Sequence, residues 1–301
     1  MGKYYLALFA AVFIWGSYFV PLKFALSTLP PTVVAFLAAL SASLVFWITS
    51  GKKVVQSIRD RFHFSLIGVG LFGTFGFNLL MNYGLKQTQV IHASLIITLL
   101  PILGILSGFL FYREKIGFPK ITGCLFSIVG VIYLLGRGSW EVIASFTFHR
   151  GDLLVLAAVF SLIFHILIAK KARQFYNSRT VTTLQLSLGT LLFFPLALKD
   201  GLLDILSQIT PLIWLSILYV GMVRSVFANL FYNYSIQKID VSIATLATNA
   251  EFLVAAFFSI LLLGEKLTFV PMIAAVLIIF GVTLSIQSKL FFPVVKSQNI
   301  G

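Results

Sequence analysis

The sequence predicts an all-α, single-domain integral membrane protein with ten transmembrane helices in a five-plus-five inverted repeat. Three observations carry that prediction: an apolar composition, regularly spaced apolar runs, and an internal repeat at constant offset. Of the 301 residues, 59% are hydrophobic and 10% charged, and the mean hydropathy is +1.02. A soluble domain carries about 25% charged residues, so this chain reads as polytopic.

Apolar runs of about 20 residues recur between turn and charge signals. They predict spans near 4–26, 31–50, 64–85, 90–112, 118–136, 151–170, 180–199, 211–235, 241–263 and 268–288. Pro30-Pro31, Pro119, Pro211 and Pro271 stand at span starts, where the missing N–H is harmless. The first run follows Met1-Gly2-Lys3 for about 22 residues without a small-residue cleavage motif, so it is expected as a span rather than a signal peptide. Leu6 stands where a myristoylation signal needs Ser or Thr. The longest connections are about 15 residues, too short for a soluble domain.

The net charge of +13 would point to nucleic acid in a soluble protein. Here the cations gather in alternate loops: Lys52, Lys53, Arg59 and Arg61; Arg113 and Lys115; Lys170, Lys171, Arg173 and Arg179. Lys3, Lys238, Lys289 and Lys296 fall on the same side, against Lys86, Arg137, Arg150, Lys199 and Lys266 opposite. The positive-inside rule then places both termini in the cytoplasm, in a membrane such as the bacterial inner membrane, with no nucleic-acid partner. A single cysteine, Cys124, excludes an intrachain disulfide.

The repeat has an offset of 151 without gaps over about 55 residues. Asn78 matches Asn229 (229 − 78 = 151), Asn82 matches Asn233, and Tyr83 matches Tyr234. Val90 matches Val241, Ala93 matches Ala244, Leu95 matches Leu246, and Glu114-Lys115 matches Glu265-Lys266. Ile128, Gly130 and Val131 match Ile279, Gly281 and Val282. The halves are 1–137 and 150–290, with a cytoplasmic tail over 291–301. Five spans per half is an odd number, so the second half must be inverted, an architecture of transporters with a midplane site.

The Trp15-Gly16 opening, Gly264-Glu265-Lys266 after span nine, and the paired segments Asn82-Tyr83 and Asn233-Tyr234 add to this pattern. Together they resemble the EamA type of the drug/metabolite transporter superfamily, across essentially the whole chain. The resemblance implies an exporter or exchanger of amino acids, nucleotide-like metabolites or small drugs, working by alternating access. Arg113-Glu114 departs from the family's Gly-Glu in the first half.

Residues that break the repeat are the first site candidates. Arg224 and Glu251 have Gly73 and Leu100 as counterparts (224 − 151 and 251 − 151). Each lies about 13–14 residues from the turn near Gln237–Asp240, hence roughly 20 Å deep at 1.5 Å per residue, where a charge needs a partner or a wet cavity. Together they can hold the carboxylate and ammonium of a zwitterion; the alternative is a permanent structural pair. Thr248 shares a small-residue stripe with Glu251, formed by Ala244, Ala247 and Ala255. Trp15 and Tyr18, three apart, are candidates for a stacking wall. His165 is a candidate pathway residue and His92 an interfacial one. Asn78 and Asn229, with Asn82 and Asn233, are either interhelical contacts or cavity lining. Arg224 and Asn229 are about 140° apart on an α-helix. Lys23 is expected to snorkel. Glu114 and Glu265 are expected to cap the helices that follow them. His149-Arg150-Gly151-Asp152 reads as a solvated loop run.

No nucleotide loop, metal-ligand spacing or nucleophile elbow occurs, and Glu251 lacks a second deep acid, so neither cofactor, metal nor catalysis is expected. The predicted function is secondary transport of a small polar or amphipathic metabolite, foremost an amino acid or related zwitterion, by export or exchange. The alternatives are a flippase-like lipid protein and an intramembrane lipid-modifying enzyme.

Overall fold

The computed structural model describes residues 2–60, 62–112, 117–145, 148–239, 244 and 247–291. Among these, eight helical segments are long and apolar enough to cross a bilayer: α1 (Gly2–Thr28), α2 (Pro31–Arg59), α3 (Ser65–Gln87), α4 (Val90–Phe111), α5 (Phe118–Leu135), α6 (Arg150–Ala172), α7 (Ser178–Lys199) and α8 (Pro211–Ser235). Two shorter apolar helices follow, α9 (Glu251–Leu263) and α10 (Phe269–Ser285). Arg113-Glu114-Lys115, Asp240 and the tail from residue 292 lie outside the described residues, as do residues 241–243, 245 and 246 of the expected span nine. Large apolar side chains point away from the bundle, among them Ile48 (84% exposed), Leu6 (68%) and Phe257 (61%). Faces of that kind have no place in water and fit acyl chains.

The helices pair as the internal repeat would require. α2 packs on its repeat counterpart α7, and α5 on its counterpart α10. α1 packs on α8 and α9, and α6 correspondingly on α3 and α4. At the α5–α10 crossing, Gly123 abuts the Gly281 carbonyl and Gly130 abuts the Ala274 carbonyl, so close that a Cβ would fall 2.3 and 3.1 Å away. Those contacts exchange under the offset (123 + 151 = 274; 130 + 151 = 281), and their order makes the two helices antiparallel. Between them the Ser127 hydroxyl donates to the Ile278 carbonyl at 3.2 Å, two positions that are themselves 151 apart. The α2–α7 contact repeats the logic. Phe36 packs on Phe194 with ring centroids 5.6 Å apart, and Ser43 meets Ser187 at 3.3 Å; 36 + 151 = 187 and 43 + 151 = 194.

Several helices depart from ideal geometry, and the departures also follow the offset. π-helical turns occupy Gly70–Gly76 in α3 and Tyr219–Ala228 in α8; 70 + 151 = 221 and 76 + 151 = 227. Such turns are rare and cluster at functional sites. α4 breaks at Thr98-Leu99, where Pro101 removes the N–H that the Ile97 carbonyl would accept. The counterpart turn, Asn249-Ala250, precedes α9 without a proline. α1 is interrupted at Tyr18, because Pro21 leaves the Ser17 carbonyl without its helical donor.

Candidate functional site

The irregular stretches of α1, α8 and α9 meet in the middle of the bundle. Gly16 lies so close to α9 that a Cβ would fall 2.7 Å from the Glu251 carbonyl and 2.5 Å from Val254 Cβ. The interruption at Tyr18 and the turn before Glu251 are thus neighbours. From α8, Arg224 lays its guanidinium over the Tyr18 ring, 4.3 Å from the centroid, with Phe77 of α3 behind at 5.5 Å. This is a cation–π contact in a desolvated setting.

Arg224 opens onto a cavity of about 30 Å³ whose polar wall comprises Thr74, Asn78 and Asn82 of α3 and Ser225 of α8. α2 contributes Ala35, Ala38 and Ala39, and α8 contributes Gly221. The volume suits about one water, so admitting a metabolite requires the walls to part. Asn78 donates to the Thr74 carbonyl at 2.7 Å, and Asn82 donates to the Pro31 carbonyl at 3.1 Å.

Among the described residues, the one ion pair is His92–Asp152. Arg224 and Glu251 therefore do not pair directly, although both act electrostatically on the Tyr18 phenol. Two buried polar atoms nearby lack partners: the Tyr18 hydroxyl, in a side chain 3% exposed, and Asn249 Nδ2, in one 6% exposed. Unsatisfied groups of this kind are costly in a membrane interior.

The remaining candidates are dispersed. Thr248 is partly buried beside Asn249 at the turn before α9. Trp15 packs on Tyr232 with ring centroids 5.2 Å apart, and Tyr18 on Phe19 at 4.3 Å. His165 faces the Val69 carbonyl at 3.3 Å and lies against Gly73, where a Cβ would come within 2.4 Å of Nδ1. Gly73 is the counterpart of Arg224, so the level filled by a guanidinium in one half is filled by His165 and Gln185 in the other. Asn229 is exposed and donates to the Ser225 carbonyl at 2.9 Å. It does not line the cavity; Ser225 does. The 140° separation expected of Arg224 and Asn229 assumed an α-helix, whereas this stretch is π-helical up to Ala228.

Other expectations need correction at the end of the bundle opposite the N-terminus. Lys23 does not snorkel; its Nζ donates to the Leu85 and Thr88 carbonyls at the end of α3. Glu265 does not cap the helix that follows it. It reaches into the other half and accepts from Val90 N–H at 2.7 Å and Ile91 N–H at 3.0 Å, capping α4. Asp152 is not solvated: it is fully buried, accepts from the Thr88 hydroxyl, and meets His92 Nδ1 at 3.3 Å. The residues near 85–92 are thus tied to α1, α6 and the α9–α10 connection. Sequence reading missed this cluster because its members come from four separate places in the chain. Pro101 was the one local sign of the break in α4.

The model of the EamA-like transporter family matches residues 2–136 and 149–287. An uncharacterized transporter of Archaeoglobus fulgidus is 27% identical over 290 residues, covering 94% of this chain and 97% of that protein. The uncharacterized transporter YetK of Bacillus subtilis is 28% identical over 294 residues, covering 96% and 88%. A solved crystal structure superposes with a TM-score of 0.63 at 18% identity, covering 94% of this chain and 96% of that one, which supports the fold alone. With both halves matched and the helices arranged as described, the chain belongs to the EamA-like transporter family.

Proposed function

We propose that this transporter moves a small zwitterion, an amino acid or close relative, by alternating access about the cavity at Arg224, and that it works by export or exchange. The observation that carries the reading is a mid-span guanidinium with no carboxylate on it among the described residues. In the proposal the substrate carboxylate takes Arg224, its ammonium is drawn to Glu251, and the Tyr18 hydroxyl and Asn249 amide supply hydrogen bonds. Asn78, Ser225 and Thr248 line the approach, with Trp15 and His165 outside it. A five-plus-five inverted repeat is the framework, supported by the offset-related contacts of α5–α10 and α2–α7. Discontinuous helices at the meeting of two repeats are a recurrent way to build such a site. The orientation follows the charge pattern, termini in the cytoplasm of a bacterial inner membrane.

Ligand-dependent thermal stabilisation of the purified protein tests the reading, because a ligand that binds the native state raises apparent stability by mass action. A zwitterionic amino acid should stabilise the wild type, and Arg224→Ala, while still folding, should lose the shift. Binding that survives Arg224→Ala would make the guanidinium structural. Stabilisation by phospholipid but by no solute would favour a flippase-like protein. Glu251 adds a sign with pH: protonation removes its attraction for an ammonium, so affinity should fall as pH falls, and Glu251→Gln should flatten the profile. An unchanged profile in Glu251→Gln would remove that residue from the site.

A further inference from the structure

At their π-helical turns α3 and α8 are held alike, and beyond those turns they are not. Gly70, where the first π turn starts, lies against α7; a Cβ there would fall 2.7 Å from Leu188 Cβ. Its counterpart Gly221 (70 + 151) lies against α2, where a Cβ would fall 3.0 Å from Ala38 Cα. Ala38 in turn corresponds to Gly189 (38 + 151), the neighbour of Leu188. Each π turn thus packs closely on one member of the crossing pair α2–α7.

Past the turns the resemblance ends. In α3, Met81, Asn82 and Leu85 are buried, and the Asn82 amide donates to the Pro31 carbonyl at the start of α2. Their counterparts in α8 are Tyr232, Asn233 and Ile236. Tyr232 and Ile236 are only partly buried, and Asn233 is exposed. Asn229 is exposed as well, whereas its counterpart Asn78 lines the cavity at Arg224. Four residues apart, Asn229 and Asn233 share one face of the helix. Tyr232 and Tyr234 meet Trp15 and Tyr4 of α1. Side-chain amides are costly against acyl chains, and in the first half the same two positions are sheltered inside the bundle.

We infer that the last two turns of α8, Asn229–Ser235, form a gate hinged at the π turn, and that in a second conformation they close on the start of α7 with the Asn233 amide donating to the Thr182 carbonyl. Thr182 is the counterpart of Pro31 (31 + 151). The inference rests on the inverted repeat and alternating access proposed above, and adds to them the moving segment, its hinge and its catch. The halves are versions of one sequence, so the packing that covers the end of α3 is open to the end of α8. Helices kink at π turns, which lets Asn229–Ser235 swing without unfolding. As the end of α8 closes, the end of α3 takes up the uncovered arrangement, and Asn82 leaves Pro31.

Nitroxide pairs on the full-length protein in lipid nanodiscs, in a Cys124→Ser background, read this exchange as distances. Ser27→Cys with Lys86→Cys reports the end at the α3–α4 turn. Ser178→Cys with Gln237→Cys, the same pair shifted by 151, reports the end that carries the N-terminus; all four positions are exposed. Each pair should show two distances. Glu265→Ala, which loosens the α3–α4 turn, should move the first pair to its longer distance and the second to its shorter one together. In that background Asn233→Leu, at an exposed position, should reduce the shorter distance of the second pair about tenfold, as loss of one buried hydrogen bond does. A single distance at the second pair in both wild type and Glu265→Ala would overturn the assignment. So would a short distance that Asn233→Leu leaves at full population, or movement at one pair alone. The measurement needs no solute, so a failure of every zwitterion to bind is told apart from a failure of the gate.

Discussion

The turn joining α3 to α4 and the described part of its repeat counterpart after α8 occupy opposite ends of the molecule and differ in their contacts. At the first, Lys23, Asp152 and Glu265 converge on Leu85, Thr88, Val90, Ile91 and His92. Adding or subtracting 151 replaces Thr88 by Ile239, His92 by Ile243, Lys23 by Gln174 and Asp152 by Met1. Of the three charged groups only the glutamate recurs, as Glu114. At the second turn Ile239 is instead buried against Leu8, Val12 and Ala244. Among the described residues, charge and hydrogen bonds hold the first end, while at the second Ile239 packs on apolar neighbours and Tyr4 stacks on Tyr234.

The largest effect should come from breaking the charged clasp at its buried centre. Asp152→Ala leaves the Thr88 hydroxyl and His92 without their partner, at a cost of about 3 kcal/mol, visible as a lowered unfolding temperature in detergent. A change within the noise of ordinary surface substitutions would mean that the cluster does not hold the turn. Glu265→Ala should cost less, about 1.5 kcal/mol, since it frees two N–H groups at the start of α4. Because it ties one half to the other, its effect should appear in access as well as stability. Labelling of Asn82→Cys, in a Cys124→Ser background, should rise about tenfold from the side opposite the termini. Unchanged labelling would show that Glu265 only caps. The smallest effect belongs to the apolar end, where Ile239→Val should cost about 1 kcal/mol. That loss should be indifferent to added salt, whereas the Glu265→Ala loss should shrink in salt because the glutamate is partly exposed. A salt-dependent Ile239→Val would erase the contrast.

The candidate residues were readable from the chain, and their geometry was not. Arg224 and Glu251 stood out because they break the repeat and sit deep in apolar runs, and both do lie where the irregular helices meet. The stacking of Arg224 on Tyr18 was not readable, since it depends on the interruption at Pro21 and the π-turn of α8. Those features change which side a residue faces without changing composition. Asn82 and Asn233 look equivalent in sequence, yet one is 2% exposed and bonded to Pro31 while the other is exposed. Their neighbours at the two ends of the bundle differ. Lys23, Asp152 and Glu265 follow the same rule: each finds its partner outside its own helix, where no local pattern points to it.

By itself the sequence determined that this protein lives in a bilayer, how its apolar segments are spaced, and that its second half repeats the first. Those properties depend on hydrophobicity and periodicity, which are local and additive along a chain. Only the tertiary structure decided which helices break, which polar groups find partners, and which end is clasped by charge. In a membrane interior every polar group must be satisfied from within the protein, so a residue's role is set by what the fold brings opposite it.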